Sequence, residues 1–141
     1  DLDFFKAIND LWGHDAGNLV LRHVARQLAH TCSGFGAAVP VRLHGDEFAV
    51  LLTGLPLGAA GVELAEQRAH ELAVVIGTLV TFGVDQLAVT GSTDVAVSPA
   101  WHADLSALLR AADQRMYAHK RRACVDADVS TTAGPVGRWS A

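Results

Sequence analysis

The sequence predicts an α+β domain in which helices flank a largely antiparallel sheet. Two patterns support this class: apolar residues recur at helical spacing in long segments, and they recur at every second position in the short segments between. The resulting order is helix, hairpin, helix, strands and helix, which suits a sheet covered by helices. The chain has 141 residues, 50% of them hydrophobic. A chain of this size and composition can bury a core of its own.

The first helix and the hairpin follow from local patterns. Residues 17–31 place four apolar side chains on one helical face: Leu21, Val24, Ala25 and Leu28. Residues 39–43 and 48–52 carry apolar side chains at every second position on either side of Gly45, which predicts a β-hairpin. Pro40 cannot donate a ladder hydrogen bond, so it belongs at a strand start or on an edge.

The second half of the chain continues with a helix, two strands and a last helix. An apolar stripe at helical spacing covers residues 57–76. Two short strands are predicted at residues 79–82 and 86–97, separated by a turn that contains glycine and aspartate. The last helix is predicted over residues 104–122, again with one apolar face.

The first residues read as the end of a strand. The sequence opens on Asp1 rather than Met, so we expect a fragment in which the first strand is mostly missing. Restoring that strand gives the order β-α-β-β-α-β, the ferredoxin-like or palm-type arrangement. In this topology the first strand lies beside the strand that follows the hairpin turn. Asp1 and Asp3 are therefore expected to meet Asp46 and Glu47 at one rim of the sheet.

Charge and composition exclude several classes of protein. The chain has 11 Lys and Arg residues against 15 Asp and Glu, and its net charge of −4 argues against a nucleic-acid binder. No apolar run is long enough for a membrane span, and no signal segment opens the chain. Cys32 and Cys124 match no metal-binding spacing and are interpreted as reduced thiols of a cytoplasmic protein, with an accidental disulfide as the alternative.

Carboxylates from two chain segments at one rim have two interpretations. They suit a hard divalent cation, since Mg²⁺ commonly takes one or two protein carboxylates together with phosphate oxygens. They are also common in turns and at strand ends, where Asp and Gly are frequent for conformational reasons. Spacing alone favours the second interpretation.

Residue identity adds a resemblance to a known family. Four stretches resemble the motifs of the GGDEF family in the family's order: 1–10 (DLDFFKAIND) and 13–18 (GHDAGN) its opening motif, 42–48 (RLHGDEF) its hairpin, and 113–120 (DQRMYAHK) its last helix. The resemblance extends over residues 1–125, which we take as the domain. Residues 126–141 are then expected to form a flexible C-terminal tail.

The resemblance implies an activity. GGDEF domains are diguanylate cyclases, which join two molecules of GTP into the bacterial second messenger cyclic di-GMP. Two domains face each other in a homodimer, each holding one GTP, and each 3′-hydroxyl attacks the α-phosphate of the other. The implied cofactor is Mg²⁺ or Mn²⁺, and the implied partners are GTP and a second copy of the domain.

The resemblance also implies roles for individual residues. Asp1 and Asp46 would hold the metal, with the carbonyl of Leu2 as a further ligand. Asp46 would also be the catalytic base for the 3′-hydroxyl, and Glu47 a further acidic contact. The remaining substrate contacts would be Asn9 and Asn18 to the guanine, His14 beside the base pocket, and Phe4, Phe5, Lys6, Gly45 and Lys120 along the phosphates.

Three departures from the family's motifs bear on activity. His44 stands where the first glycine of the turn is usual, so its ring either blocks GTP or points outward. Asn18 replaces an aspartate and offers guanine one acceptor and one unwanted donor, although it can equally cap a helix. Cys124 replaces a phosphate-binding arginine. These departures leave open a second hypothesis, a catalytically inactive GGDEF module that binds nucleotide or a partner domain.

The sequence differs from the motifs of the family at two other places. Asp94 stands where a glycine is usual in a strand, and a buried unpaired charge there would be costly unless it lies in an exposed bulge. Asp94 supports a third hypothesis, in which the domain is a structural remnant that pairs with a partner domain and binds no nucleotide. Residues 35–38 lack the Arg-x-x-Asp of product-inhibited members, so inhibition through that site is not expected.

Overall fold

The computed structural model describes the backbone of residues 1–98 and 104–131, and the side chains of residues 1–98 and 104–121. Within these ranges it contains three helices and two two-stranded antiparallel sheets. In chain order the elements are α1 Phe5–Ser33, β1 Ala38–His44, β2 Glu47–Leu52, α2 Ala59–Ile76, β3 Thr78–Phe82, β4 Asp85–Val89 and α3 Leu105–Thr131. This order confirms the predicted α+β class.

Helix α1 begins twelve residues before the predicted start at residue 17. The chain leaves helical geometry inside α1 at Gly13, where φ is 82° and ψ is 166°, so the element is two helical segments joined by a kink. The sequence pattern missed the first segment because Ile8 is its buried apolar residue, whereas Leu11 is exposed. A single buried position gives no periodic signal.

The predicted hairpin is present as β1 and β2. The strands pair from Ala38 opposite Leu52 to His44 opposite Glu47, with an irregularity between Arg42 and His44. The Arg42 guanidinium closes the turn, because its Nε and Nη2 donate to the carbonyl of Gly45 at 2.9 and 2.6 Å. This turn therefore holds a fixed shape at the position where the acidic motif begins.

Residues 1–3 connect the hairpin to the segment after β4. The amide of Leu2 donates to the carbonyl of Asp46 at 3.3 Å, and Leu2 forms an antiparallel bridge with Gly91. The amide of Asp3 donates to the carbonyl of Thr90, and the amide of Ser92 to the carbonyl of Asp1, each at 2.9 Å. These bonds place the first residues beside the hairpin turn, as the predicted topology requires.

The predicted strand over residues 86–97 is wrong beyond Val89, where β4 ends. Residues 91–97 would need a neighbouring strand to form a ladder. Within the described ranges, residues 1–3 supply the backbone hydrogen bonds to this segment, and they reach only from Thr90 to Ser92. A three-residue partner supports one bridge and no longer strand.

The core lies between α1, α2 and the β3–β4 hairpin. Val20 and Val24 of α1 are fully buried, and they belong to one cluster with Leu72 of α2 and Val80 and Val89 of the strands. Cys32 closes the α1 end of this cluster as a free, buried thiol. Desolvation by burial raises the pKa of the Cys32 thiol, which keeps it in its unreactive protonated form. The side chain of Cys124 lies outside the described residues.

Helix α3 continues past its predicted end at residue 122 and reaches Thr131. It therefore includes the first six residues of the segment that we interpreted as a tail, residues 126–141. The rest of that segment lies outside the described residues, so the boundary of the domain stays a prediction. Among the helices that the structure describes, none is both long and apolar enough to cross a membrane.

Gly61→Ala is expected to lower the free energy of unfolding by about 1–3 kcal/mol, the usual cost of overpacking. A Cβ at this buried position in α2 would collide with the carbonyl oxygen of Pro56, and backbone cannot move aside as a flexible side chain can. Urea unfolding measures the change. Gly77→Ala is the matched control, because its Cβ would lie 3.5 Å from its nearest neighbour. Equal stability of the two variants would contradict the packing at Gly61.

Candidate functional site

Three chain segments form an acidic rim, which we define as Asp1, Asp3, Asp46, Glu47 and Lys120. Asp1 and Asp3 come from the start of the chain, Asp46 and Glu47 from the β1–β2 turn, and Lys120 from α3. The amide of Leu2 bonds the carbonyl of Asp46, which ties the first two segments together. The ammonium of Lys120 pairs with the Asp1 carboxylate and lies 3.5 Å from Asp3 Oδ1, which brings α3 to the same rim. The predicted convergence of the two acidic clusters is therefore present.

The two aspartates of the first segment differ in their surroundings. Asp3 accepts hydrogen bonds from the hydroxyls of Ser92 at 2.7 Å and Thr90 at 3.1 Å. These bonds anchor its carboxylate to the segment after β4 and leave it little freedom to bind a ligand. The carboxylate of Asp1 instead forms an ion pair with Lys120, whose ammonium nitrogen lies 3.5 Å from Asp3 Oδ1. The carboxylate of Asp1 can therefore exchange its ion-pair partner, Lys120, for another ligand.

The hairpin turn presents its two acids at the surface of the same rim. Asp46 and Glu47 are both half-buried, and Gly45 before them has a φ of 51°, a conformation that favours glycine. His44 lies 3.1 Å from Glu47, measured between Nε2 and Oε2, and the imidazole is 75% exposed. The exposed imidazole therefore lies against Glu47, and the effect of His44 on GTP binding stays a prediction.

The segment leading from the rim into α1 is strained. Phe4 has a φ of 57° and a ψ of 21°, the left-handed region that a bulky side chain rarely adopts. Such a conformation costs about 1–3 kcal/mol and is concentrated at functional sites. The phenyl ring of Phe4 is 83% exposed, whereas Phe5 packs against the core. Phe4 and the exposed Lys6 therefore border open solvent next to Asp1 and Asp3.

Asn9 lies against the second segment of α1. A Cβ on the buried Gly17 would collide with Asn9 Oδ1 and would lie 3.0 Å from Asn9 Cγ and 3.2 Å from Phe5 Cζ. Glycine at position 17 therefore makes room for the Asn9 side chain across the kink. The neighbouring Asn18 is exposed, as is His14 just after the kink. The two predicted guanine contacts, Asn9 and Asn18, thus come from the two helical segments on either side of Gly13.

Comparison with known proteins decides the family. The family model described as "Diguanylate cyclase, GGDEF domain" matches residues 1–124. The chain belongs to the GGDEF family.

Relatives of this GGDEF chain include named cyclases. The probable diguanylate cyclase DgcC of Escherichia coli is 45% identical over 71 residues, which are 50% of this chain and 18% of that protein. The diguanylate cyclase TpbB of Pseudomonas aeruginosa is 37% identical over 128 residues, 87% of this chain and 27% of that protein. A crystal structure of a GGDEF family protein from Caulobacter crescentus matches with a TM-score of 0.73 and 33% identity, covering 86% of this chain and 75% of that one. The chain spans less than a third of the length of the two curated relatives.

The oxygen donors of the GGDEF rim fit the divalent cation that the family implies. Asp1 and Asp46 supply carboxylates and Leu2 a carbonyl, which are the hard ligands of Mg²⁺. A cation, the Lys120 ammonium, already pairs with Asp1. In the part of the chain that the structure describes, no group of three or more His, Cys, Asp or Glu side chains has the arrangement of a complete metal site. Two carboxylates are what Mg²⁺ commonly takes when a phosphate completes its shell.

The GGDEF site contains features that the motifs did not reveal. The anchoring of Asp3 depends on contacts with residues about 90 positions away, Thr90 and Ser92. Thr90 and Ser92 are two positions apart and so face one side of an extended segment, and this was the available sequence signal. Cys124, which replaces the phosphate-binding arginine, has its side chain outside the described residues. Its expected effect stays a prediction.

Proposed function

We propose that this GGDEF domain is a diguanylate cyclase, condensing two molecules of GTP into one cyclic di-GMP with release of two pyrophosphates. The observation that supports it best is the meeting of Asp1, Asp46 and Lys120 at one rim, because two carboxylates and a cation are groups that would bind a metal and a triphosphate. Phosphoryl transfer requires mainly positioning and charge from a protein. The cyclase names of the relatives point in the same direction.

The carboxylates of Asp1 and Asp46, with the Leu2 carbonyl, would hold Mg²⁺ or Mn²⁺. When bound, the ion would neutralise negative charge that develops on the α-phosphate. Asp46 is the proposed base and accepts the proton of the 3′-hydroxyl. The 3′ oxygen then bonds to the α-phosphorus of the facing GTP, and the bond from that phosphorus to pyrophosphate breaks.

Lys120 has two roles in this proposal. In the free domain its ammonium neutralises Asp1, which would otherwise repel the other acids of the rim. When the metal and the triphosphate are bound, Asp1 has another cation, and Lys120 is free to donate to the phosphates. Lys120 therefore stabilises the Asp1 carboxylate in the free domain and the phosphates of GTP in the complex.

The base pocket belongs to the two segments of α1. Asn9 and Asn18 are the proposed guanine contacts, His14 lies beside them, and Phe4, Phe5, Lys6 and Gly45 border the phosphates. Because each domain holds one GTP, catalysis requires two copies facing each other. We propose a homodimer for this reason. The substrate is a cytoplasmic nucleotide, so we also propose that the protein acts in the bacterial cytoplasm.

Gly17→Ala is expected to weaken GTP binding about two- to twelvefold, the equivalent of one ordinary hydrogen bond at about 0.5–1.5 kcal/mol. The added Cβ displaces the Asn9 amide, which is a proposed guanine contact. Isothermal titration with a nonhydrolysable GTP analogue measures the change. Gly34→Ala at the end of α1 is the matched control, because its Cβ would lie 3.4 Å from the Thr31 carbonyl oxygen and touch no proposed contact. Unchanged affinity in Gly17→Ala would remove Asn9 from the base pocket.

Asn18→Asp is expected to raise the preference for GTP over ATP about two- to tenfold, in the range of a solvent-screened hydrogen bond. A carboxylate can accept from both guanine N–H groups, whereas the amide of Asn18 presents one acceptor and one donor. Competition between GTP and ATP for a fluorescent GTP analogue gives the ratio. His70→Gln, an exposed change on α2, serves as the control. An unchanged ratio would place Asn18 outside base recognition.

One observation favours a second candidate, a GGDEF module that binds nucleotide without turning it over. Two acids of the rim already have basic partners, Glu47 with His44 and Asp1 with Lys120. These two acids of the rim therefore have partners without a metal. If both partners remain in place in the presence of GTP, the domain retains a binding or signalling role alone.

The test is to incubate the intact protein with GTP and Mg²⁺ and to measure cyclic di-GMP and pyrophosphate by mass spectrometry and a coupled assay. We expect two pyrophosphates per cyclic product, no product from ATP, and none when the metal is chelated. GTP binding without product would support the second candidate. Absence of both binding and product would exclude the two proposals together.

A further inference from the structure

Three side chains in the middle of helix α3 contact the rest of the described chain. The Arg115 guanidinium donates to the carbonyl of Val95 at 2.7 Å. His119, one turn further along, lies 2.6 Å from Asp94, measured between Nδ1 and Oδ2. Lys120 follows directly and pairs with Asp1. The first two contacts anchor α3 to the segment after β4, and the third reaches the rim.

Asp94 lies in neither of the two situations expected from the sequence. It is not in an exposed bulge, because its side chain is only 11% exposed, and it is not alone, because His119 is beside it. Its Oδ1 accepts the Val95 amide at 2.8 Å, while Oδ2 is buried and accepts no hydrogen bond among the described residues, although the His119 imidazole lies 2.6 Å from it. A buried carboxylate oxygen without a donor is costly, and the adjacent basic imidazole is the group that offsets part of this cost.

The surroundings of the pair are mixed in charge. Asp94 and His119 line a cavity of about 340 Å³ together with Glu66 of α2 and with Arg115 and Ala118 of α3. Glu66 and Arg115 bring opposite charges to the cavity, so neither sign dominates there. The basic group in contact with the Asp94 carboxylate is the His119 imidazole.

We propose that Asp94 and His119 form a positioning pair that fixes the rotation of α3 and so presents Lys120 to the rim. Adjacent residues of a helix project about 100° apart. A rotation that releases His119 from Asp94 therefore also swings Lys120 away from Asp1. Asp94 stands where the family resemblance leads one to expect glycine, so this pair is a property of this chain. The role of Lys120 towards phosphate rests on the proposed function, whereas the docking of α3 does not.

The test uses Asp94→Asn, His119→Gln and the double variant in the intact protein. Two readouts are measured: affinity for a nonhydrolysable GTP analogue with Mg²⁺, and hydrogen exchange of residues 105–121 without nucleotide. We expect each single change to weaken analogue binding about fivefold and to speed hydrogen exchange in α3. The double variant is expected to bind the analogue no less tightly than the single variant with the lower affinity. His119→Lys, which places a basic side chain opposite Asp94, is expected to restore both values towards wild type. His30→Gln is the matched control, since His30 is an exposed histidine at the end of α1.

Guanosine separates positioning of Lys120 from general loosening of the fold. It has no phosphates, so its affinity is expected to stay unchanged in the variants that lose analogue affinity. In a Lys120→Met background, Asp94→Asn is expected to have no further effect on analogue binding. Equal loss of guanosine and analogue affinity would overturn the positioning role.

The docking of α3 by Asp94 and His119 and the role of Lys120 towards phosphate can be refuted independently. If wild-type protein binds no analogue, the proposed function fails, and hydrogen exchange alone decides the docking pair. Faster exchange in residues 105–121 of the variants then supports the pair. Unchanged exchange in these variants overturns it.

Discussion

Asp46→Ala is expected to abolish cyclic di-GMP formation, lowering kcat by at least about 100-fold, the smaller effect expected for a general base. Asp46 is the proposed base and also a proposed ligand of the divalent cation, so one substitution removes both contributions. Its part in the fold comes from the backbone: the Asp46 carbonyl accepts the Leu2 amide, and alanine keeps that bond. The fold is therefore expected to survive.

The matched control is Asp85→Ala, which removes an aspartate beside the other hairpin turn, where Asp85 pairs with Phe82. Thermal unfolding of both variants checks that the fold is intact, and mass spectrometry measures the product. Wild-type rates in a folded Asp46→Ala protein would exclude Asp46 from the chemistry. Equal loss in both variants would indicate a general effect of removing a turn carboxylate.

Lys120→Met is expected to lower kcat/KM for GTP by about 10- to 150-fold, which corresponds to about 1.5–3 kcal/mol for a hydrogen bond to a charged group. Methionine keeps the length of the side chain and removes the ammonium. Asp1 then loses its ion-pair partner, and the phosphates lose a donor. The loss of the phosphate donor lowers kcat/KM, whereas the loss of the ion pair destabilises only the free domain and offsets part of that decrease.

Arg121→Met provides the comparison for Lys120→Met. It removes a cation from the next position of α3, where the guanidinium lies 5.9 Å from the centre of the Tyr117 ring and contacts no member of the rim. Initial rates across a GTP series separate kcat from KM. Similar rates for Lys120→Met and Arg121→Met would show that position 120 contributes only general positive charge.

The fold was predictable where local patterns are strong. The hairpin of β1 and β2 alternates at every second position, and α2 has a long apolar stripe, so both appeared close to their predicted positions. The first segment of α1 was not predictable, because it buries only Ile8 among its apolar residues and follows a strained Phe4. The end of β4 at Val89 depends on which strand is available to pair with the following residues. No local pattern carries that information.

The candidate site was predictable in its members and not in its internal contacts. Motif residues identified Asp1, Asp46 and Lys120, and the topology placed the first two at one rim. The sequence could not show that Lys120 pairs with Asp1, or that His44 lies on Glu47. It also could not show that Asp94 meets His119, because this contact joins residues that are 25 positions apart and forms only when α3 docks. The substrate roles of all these residues stay predictions.

The most direct test of the proposed function is a crystal structure of the protein with Mn²⁺ and a nonhydrolysable GTP analogue. The anomalous signal locates the manganese in it. We expect manganese between the carboxylates of Asp1 and Asp46, with the Lys120 ammonium moved from Asp1 to the phosphates. Manganese at another position, or an analogue bound while Lys120 still pairs with Asp1, would contradict it.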